Sequence, residues 1–118
     1  MGFRVPVIIF ESNSRRIVEV NDVAAALFKT TTEAMVGQTV DGCLIAEERA
    51  RLARSIGTYD ARWGDVGNWQ CLARDGTRFV ASVRFHQAIH DGRLVHIVLA
   101  TAVTHVDAAF STKAAAST

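Results

Sequence analysis

Several stretches of the chain have the pattern of a strand, either alternation along the chain or a run rich in β-branched and aromatic residues. These stretches are 5–10, 16–21, 66–74, 79–85 and 94–103. The first two are joined by a polar segment and predict an N-terminal hairpin. The last three are joined by Asp75-Gly76 and Asp91-Gly92. Because Asp-Gly pairs are strong hairpin signals, these three stretches predict an antiparallel meander.

Between the two groups of strands, apolar residues recur at the spacing of helices. Asn21 can accept hydrogen bonds from the free amides of a helix start, so a short helix is predicted to follow it. Thr30 and Glu33 have capping-box spacing, and Gly37 is a typical stop for a second short helix. Segment 45–56 has one apolar stripe and predicts the longest helix. The predicted fold class is therefore α+β, a five-stranded antiparallel sheet with three helices on one face.

The faces of the last two strands follow from alternation counted from the turns. In 79–85 the core face carries Phe79, Ala81, Val83 and Phe85. In the last strand the more β-branched side carries Val95, Ile97, Leu99, Thr101 and Val103, and we expect it to face inward. The opposite side carries Leu94, His96, Val98 and Ala100. Since this strand is apolar on both sides, something is expected to cover its outer face.

Length and charge narrow the class of protein. With 118 residues the chain fits one domain. A net charge of +1 argues against a nucleic-acid partner or an anionic membrane, and no apolar run is long enough to span a bilayer. We therefore expect a cytoplasmic protein. Cys43 and Cys71 lack metal-ligand spacing and are interpreted as buried thiols, so no metal site is predicted.

The order and spacing of these elements resemble a PAS domain over residues 5–106. The features that carry the resemblance are an Asn at the start of the first helix, a Gly that ends the second, and two Gly turns before the last two strands. Here they are Asn21, Gly37, Asp75-Gly76 and Asp91-Gly92. The resemblance implies a sensory or interaction module of a larger signalling protein. Residues 107–118 would then be a tail or the start of a connector to an output domain.

In PAS domains the helix-facing side of the sheet lines a cavity, so the resemblance implies a site for a small apolar or amphipathic ligand. Its predicted wall is Trp69, Cys71, Ala81, Val83, Phe85, Ile97, Leu99 and Thr101. Helix 45–56 and Tyr59 would close it, and Thr101, Cys71 and Gln87 would supply polar groups. A solid core made of the same residues is the alternative, because aliphatic stripes usually belong to cores.

A second hypothesis is a ligand-free dimerisation module. Its predicted interface is the outer side of the last strand, with Leu94, His96, Val98 and Ala100, and Val98→Glu would disrupt the homodimer. A third is a small cone-shaped enzyme of the ketosteroid-isomerase kind, which needs an inward-facing acid. Asp60 and Asp65 lie in a glycine-punctuated loop and no catalytic pattern is present, so we predict that the chain is not an enzyme.

Two cofactors common among PAS sensors are disfavoured. Haem-binding members usually supply a His from the long-helix region, but residues 38–68 contain none. The four histidines are His86, His90, His96 and His105, and His86 and His96 are predicted to face outward. Flavin photochemistry in the LOV branch needs a Cys within an Asn-Cys-Arg-Phe-Leu-Gln motif shortly after the Gly that ends the second helix, and three residues beyond Gly37 this chain has Val40. Cys43 lies too far along to take that role.

Overall fold

The computed structural model describes residues 5–58 and 66–106, and at 55–58, 66 and 106 it describes the backbone alone. The predicted tail 107–118 lies outside the described residues. So do three loop residues named above, Tyr59, Asp60 and Asp65.

The described residues form five strands and three α-helices, and the predicted fold class is confirmed. The elements are β1 Val7–Glu11, β2 Ile17–Val20, α1 Asp22–Leu27, α2 Thr32–Met35, a 3₁₀ helix Val40–Cys43, α3 Ala46–Thr58, β3 Val66–Leu72, β4 Arg78–His90 and β5 Arg93–Val106. The strand order is β2-β1-β5-β4-β3, and all neighbouring strands pair antiparallel. Thus the last strand, β5, lies at the centre of the sheet.

Both predicted Asp-Gly turns form. Asp91 and Gly92 have φ of 52° and 77°, so both central residues of the β4–β5 hairpin are left-handed. This is the conformation of a type I′ turn, in which Gly and Asp are favoured. In the β3–β4 turn, Gly76 has φ of 89° and Asp75 accepts a hydrogen bond from the amide of Thr77 at 2.9 Å.

The helix starts are capped by side chains. Asn21 caps α1 as predicted, since its Oδ1 accepts from the amide of Ala24 at 2.9 Å and also from that of Val7 at 3.1 Å. One residue therefore ties the start of α1 to the start of β1. The capping-box prediction for α2 was displaced by one residue: Thr31 rather than Thr30 accepts from Ala34 N, at 3.1 Å.

A β-bulge interrupts the pairing of the two longest strands. Ser82 pairs with Ala102, yet the next residue of β4, Val83, pairs with Ala100. Thr101 of β5 consequently has no partner in β4. A bulge of this kind exchanges the two faces of a strand on either side of it.

The bulge makes the predicted faces of β5 wrong from Thr101 towards the β4–β5 turn. Val98 pairs with Phe85 and Ala100 with Val83, so both face the helices together with those two residues. His96 lies on the same side and is 1 % exposed, which corrects its predicted outward position. Ile97, Leu99 and Thr101, predicted to face inward, do not line the interior between sheet and helices. Thr101 is exposed, and Ile97 and Leu99 are half-buried.

Candidate functional site

The helix-facing side of the sheet borders an apolar cavity of about 60 Å³ that is partly open to the surface. The helical segments contribute Leu27, Phe28, Val40, Cys43, Leu44 and Leu52, and the strands contribute Ile8, Phe10, Trp69, Cys71, Phe79, Ala81, Val83, Phe85, Val98 and Ala100. Pro6, just before β1, completes the wall. No lining residue carries a charge. The wall therefore suits an apolar group and offers little to hold a polar one.

Much of the predicted wall is present. Trp69, Cys71, Ala81, Val83 and Phe85 all line the cavity, as alternation along β3 and β4 predicted.

The β5 residues that were predicted to line the cavity are replaced there by other residues of the same strand. Ile97, Leu99 and Thr101 are absent from the wall, and their places are taken by Val98 and Ala100, which had been assigned to a dimer interface. Of the predicted polar groups, only Cys71 lines the cavity; Gln87 and Thr101 do not. Leu52 represents the predicted helix 45–56, and Tyr59 lies outside the described residues.

Several lining residues were not predicted from the sequence. Phe10 and Phe28 are the largest contributions from β1 and from the end of α1, and both are buried. Alternation in 5–10 and helical spacing before Phe28 are the signals that could have found them. The 3₁₀ helix that brings Val40 and Cys43 to the wall has no comparable sequence signal.

The two thiols of the wall, Cys43 and Cys71, have low reactivity at neutral pH. Burial raises the pKa of Cys43 to about 12, with a smaller contribution from Asp41. Burial also raises the pKa of Cys71 to about 12, helped by the nearby Cys43 and Glu48. Because the thiolate is the reactive form, both side chains act at neutral pH as small apolar groups.

His96 packs at the edge of this interior rather than on the surface. Its ring is stacked on that of Phe10, with centroids 5.2 Å apart and planes 6° apart, and it meets the ring of Phe85 edge-on. Its Nδ1 lies 2.7 Å from Ser12 Oγ. Desolvation by burial lowers the pKa of His96 below its ordinary value of 6.5.

This lowered pKa predicts acid sensitivity. The unfolded chain binds a proton on the His96 ring near its ordinary pKa, whereas the folded chain binds it only at lower pH. The stabilisation is therefore complete above the unfolded pKa and is lost as the pH falls through the folded one. We expect the free energy of unfolding to drop between about pH 7.5 and about pH 5, and to drop less in His96→Gln.

Chemical denaturation at the two pH values measures this difference. His90→Gln is the matched control because His90 is exposed, and it should keep the pH dependence of the original chain. An equal pH dependence in all three proteins would contradict the assignment to His96.

Residues behind the wall hold α3 against the edge strand β3. Arg51 of α3 lies over the Trp69 ring, with Cζ 3.9 Å from the ring centroid, and its Nη1 donates to Asn68 O at 2.8 Å. Glu48, only 8 % exposed, accepts from the amide of Gln70 at 2.8 Å. The position of Trp69 in the wall is thus set by Arg51 on its ring and by the contacts that α3 makes with the backbone of its two neighbours, Asn68 and Gln70.

Other kinds of site find little support in the described part of the chain. There, no three side chains of His, Cys, Asp or Glu come together as a metal site would require. Within the same residues, no helix combines the length and apolar character needed to cross a bilayer.

Comparison with known proteins finds similar structures but no similar sequences. No protein-family model matches the sequence, and no curated protein does. A PAS domain of an HTR-like protein from Haloarcula marismortui is similar with a TM-score of 0.72 and 11 % identity, over 86 % of this chain and 81 % of that one. The PAS-B domain of Drosophila melanogaster Cycle with bound ethylene glycol is similar with a TM-score of 0.68 and 8 % identity, over 85 % of this chain and 98 % of that one.

A fungal LOV domain photoreceptor is similar with a TM-score of 0.65 and 13 % identity, over 86 % of this chain and 74 % of that one. A PAS domain of a two-component sensor histidine kinase is similar with a TM-score of 0.63 and 12 % identity, over 86 % of this chain and 84 % of that one. At these identities the likeness concerns the fold. Together with the sheet order and the helices on one face, it shows that this chain is a domain with the PAS fold.

Proposed function

We propose that this chain is a PAS sensory module that binds a small apolar or amphipathic molecule in the cavity between sheet and helices. In this proposal it works in the cytoplasm as one segment of a larger signalling protein. The bound molecule acts on an output domain through the segment that follows β5. A ligand can shift that output only by binding one arrangement of the domain more tightly than another.

The observation that carries the proposal is the uncharged cavity itself. An unfilled apolar cavity of about 60 Å³ costs roughly 1.4 kcal/mol of stability at the slope found for engineered cavities. A ligand that fills it can recover that free energy, which corresponds to about tenfold in affinity. The corrected binding residues are Trp69, Cys71, Ala81, Val83, Phe85, Val98 and Ala100.

Octanol is a suitable probe of this site because it is flexible and uncharged, and its alkyl end can enter the cavity while the rest of the molecule extends beyond it. We expect it to stabilise the folded chain against thermal unfolding and to perturb the Trp69 fluorescence. Ala81→Leu should abolish both effects, because the added side chain enters the cavity. Ala102→Leu is the matched control: Ala102 pairs with Ser82 and is exposed, so the same substitution there leaves the cavity unchanged.

Native mass spectrometry of protein purified from cells gives an independent test, since a resident ligand would appear as added mass. A chain that neither carries a ligand nor responds to saturating octanol would contradict the proposal. So would an Ala81→Leu variant that still binds octanol as the original chain does.

The second candidate function is homodimerisation through the outer face of the sheet. Ile9 pairs with Ile97 and Val7 with Leu99, which sets four apolar side chains side by side on the face opposite the cavity. All four are half-buried in the described structure. Leu94 is 44 % exposed, but it alternates with His96 and Val98 and therefore lies on the helix side of β5 rather than on this face.

The other residues first assigned to this interface, His96, Val98 and Ala100, face the helices and cannot contribute to it. The informative variant is consequently Ile97→Glu, since Val98→Glu would place a charge in the cavity. Sedimentation over a range of concentrations should show a dimer that Ile97→Glu dissociates. Val36→Glu, at a 46 % exposed position after α2, should leave it intact. A monomer at every concentration would remove this candidate.

A further inference from the structure

A second and larger cavity adjoins the first. It has a volume of about 190 Å³ and lies between the ends of α1 and β3, helix α2 and the 3₁₀ helix. Unlike the inner cavity it has a mixed wall, in which Thr30, Gln38, Thr39 and Arg74 are polar. Gln38, Thr39 and Arg74 are exposed, so its mouth lies at the protein surface.

Two side chains separate the cavities. Phe28 and Cys43 line both, so each cavity lies against one side of the same pair. The Phe28 ring rests edge-on against Phe79 with centroids 5.1 Å apart, and Cys43 is a small apolar group. A ligand that occupies both cavities would therefore have to pass between Phe28 and Cys43 or displace one of them.

Volumes favour a ligand that occupies both. An engineered apolar cavity of about 150 Å³ holds one benzene molecule, whereas the inner cavity here measures about 60 Å³. A molecule larger than a short alkyl group must therefore extend beyond it. The 190 Å³ of the outer cavity are the adjacent space available for the remainder.

The charges around the mouth favour an anionic head. Arg74 is the charged residue of the outer cavity wall, and its backbone amide donates to Phe28 O at 2.9 Å. Among the residues that the structure describes, Arg74 makes no ion pair. Of two carboxylates in this region, Asp41 is paired with Arg15 at 2.7 Å, and Asp75 accepts from the amide of Thr77 and has the cation of Lys29 nearby.

From this arrangement we propose that the ligand is a linear anionic amphiphile, with its alkyl end in the inner cavity and its carboxylate beside Arg74 in the outer one. This inference rests on the proposed function and adds the ligand class and orientation. A guanidinium suits the head because it can donate two parallel hydrogen bonds to a carboxylate. The uncharged inner wall suits the tail.

Octanoate and octanol are the probes, because they share a chain length and differ in the charge of the head. In titrations of the original chain at low salt, octanoate should bind more tightly than octanol. Arg74→Gln should weaken octanoate binding by about three- to fivefold, as expected for a partly solvated ion pair, and leave octanol binding unchanged. Added salt should weaken octanoate binding in the original chain and have less effect in the variant.

Arg84→Gln is the matched control, since Arg84 is exposed and alternates with the cavity-facing Val83 and Phe85 on β4. It should bind both probes as the original chain does. If octanol binds but octanoate has no advantage, or Arg74→Gln and Arg84→Gln behave alike, the anionic-head inference is overturned and the cavity proposal stands. If neither probe binds, the cavity proposal itself fails.

Discussion

Replacing Phe10 with alanine is expected to lower the free energy of unfolding by about 3–5 kcal/mol. Phe10 is fully buried, with 0 % exposure, and its ring contributes to the cavity wall. The substitution removes the ring that stacks on His96 and extends a cavity that already exists. Because the site is bordered by strands on both sides of β1, the surroundings have little freedom to collapse into the space. Chemical denaturation at neutral pH measures the loss.

Val36→Ala is a suitable control for this experiment, because Val36 is 46 % exposed. Its cost should stay within about 0.5 kcal/mol. A Phe10→Ala variant that loses less than about 1 kcal/mol would mean that the inner wall is far more deformable than its packing indicates.

Replacing Glu48 with alanine is expected to cost about 2–3 kcal/mol, because it leaves polar groups without their partner. The Glu48 carboxylate accepts from the amide of Gln70 at 2.8 Å and meets Arg51 Nη1 at 3.2 Å. The carbonyl of Gln70 accepts from Ile45 N at 3.3 Å. The start of α3 therefore satisfies both backbone groups of Gln70 on the open edge of β3.

Glu47 supplies the control for this change, since it precedes Glu48 in α3 and is exposed. Denaturation of Glu47→Ala should show almost no loss of stability. Glu48→Gln should lie between the two, because an amide oxygen can still accept from Gln70 N but is a weaker partner for Arg51. Equal stabilities of Glu47→Ala and Glu48→Ala would show that the contact with β3 contributes nothing. Loss of this contact should also expose the β3 edge to pairing with other chains.

Local chemistry made most of the fold predictable. Asp91-Gly92 forms the expected turn because both residues tolerate positive φ. Asn21 caps α1 because its side chain reaches an unpaired amide. Along β4, strict alternation was sufficient to assign Ala81 and Val83 to the cavity wall.

Features that depend on distant parts of the chain could not be predicted in this way. The bulge at Thr101 depends on the pairing between two strands, and an apolar pattern on both faces of β5 fits either register. Burial of Glu48 depends on a partner 22 positions away, the amide of Gln70. Arg74 is the last residue of the predicted strand 66–74, and only the folded chain brings it to the outer cavity.

The two candidate functions meet on one strand. Val98 lines the cavity and Ile97, its neighbour in β5, lies on the outer face beside Ile9. A ligand and a second subunit would thus contact opposite sides of the same central strand. If binding on one side alters the affinity on the other, the coupling must be reciprocal. Comparing the dimer dissociation constant with and without octanol measures it.

The bulge leaves one residue of β5, Thr101, outside the pairing with β4. The Thr101 side chain is exposed and its Oγ1 donates one hydrogen bond, to Ser82 O at 3.2 Å, so many amino acids could replace it. Deleting Thr101 would join Ala102 directly to Ala100, and these two residues already pair with the consecutive residues Ser82 and Val83. Because Ala100 faces the helices and Ala102 faces the opposite side, β5 would then alternate without interruption. Val98, Ala100 and Val103 would keep their faces, so this position should accept the loss of its residue as well as wide sequence variation.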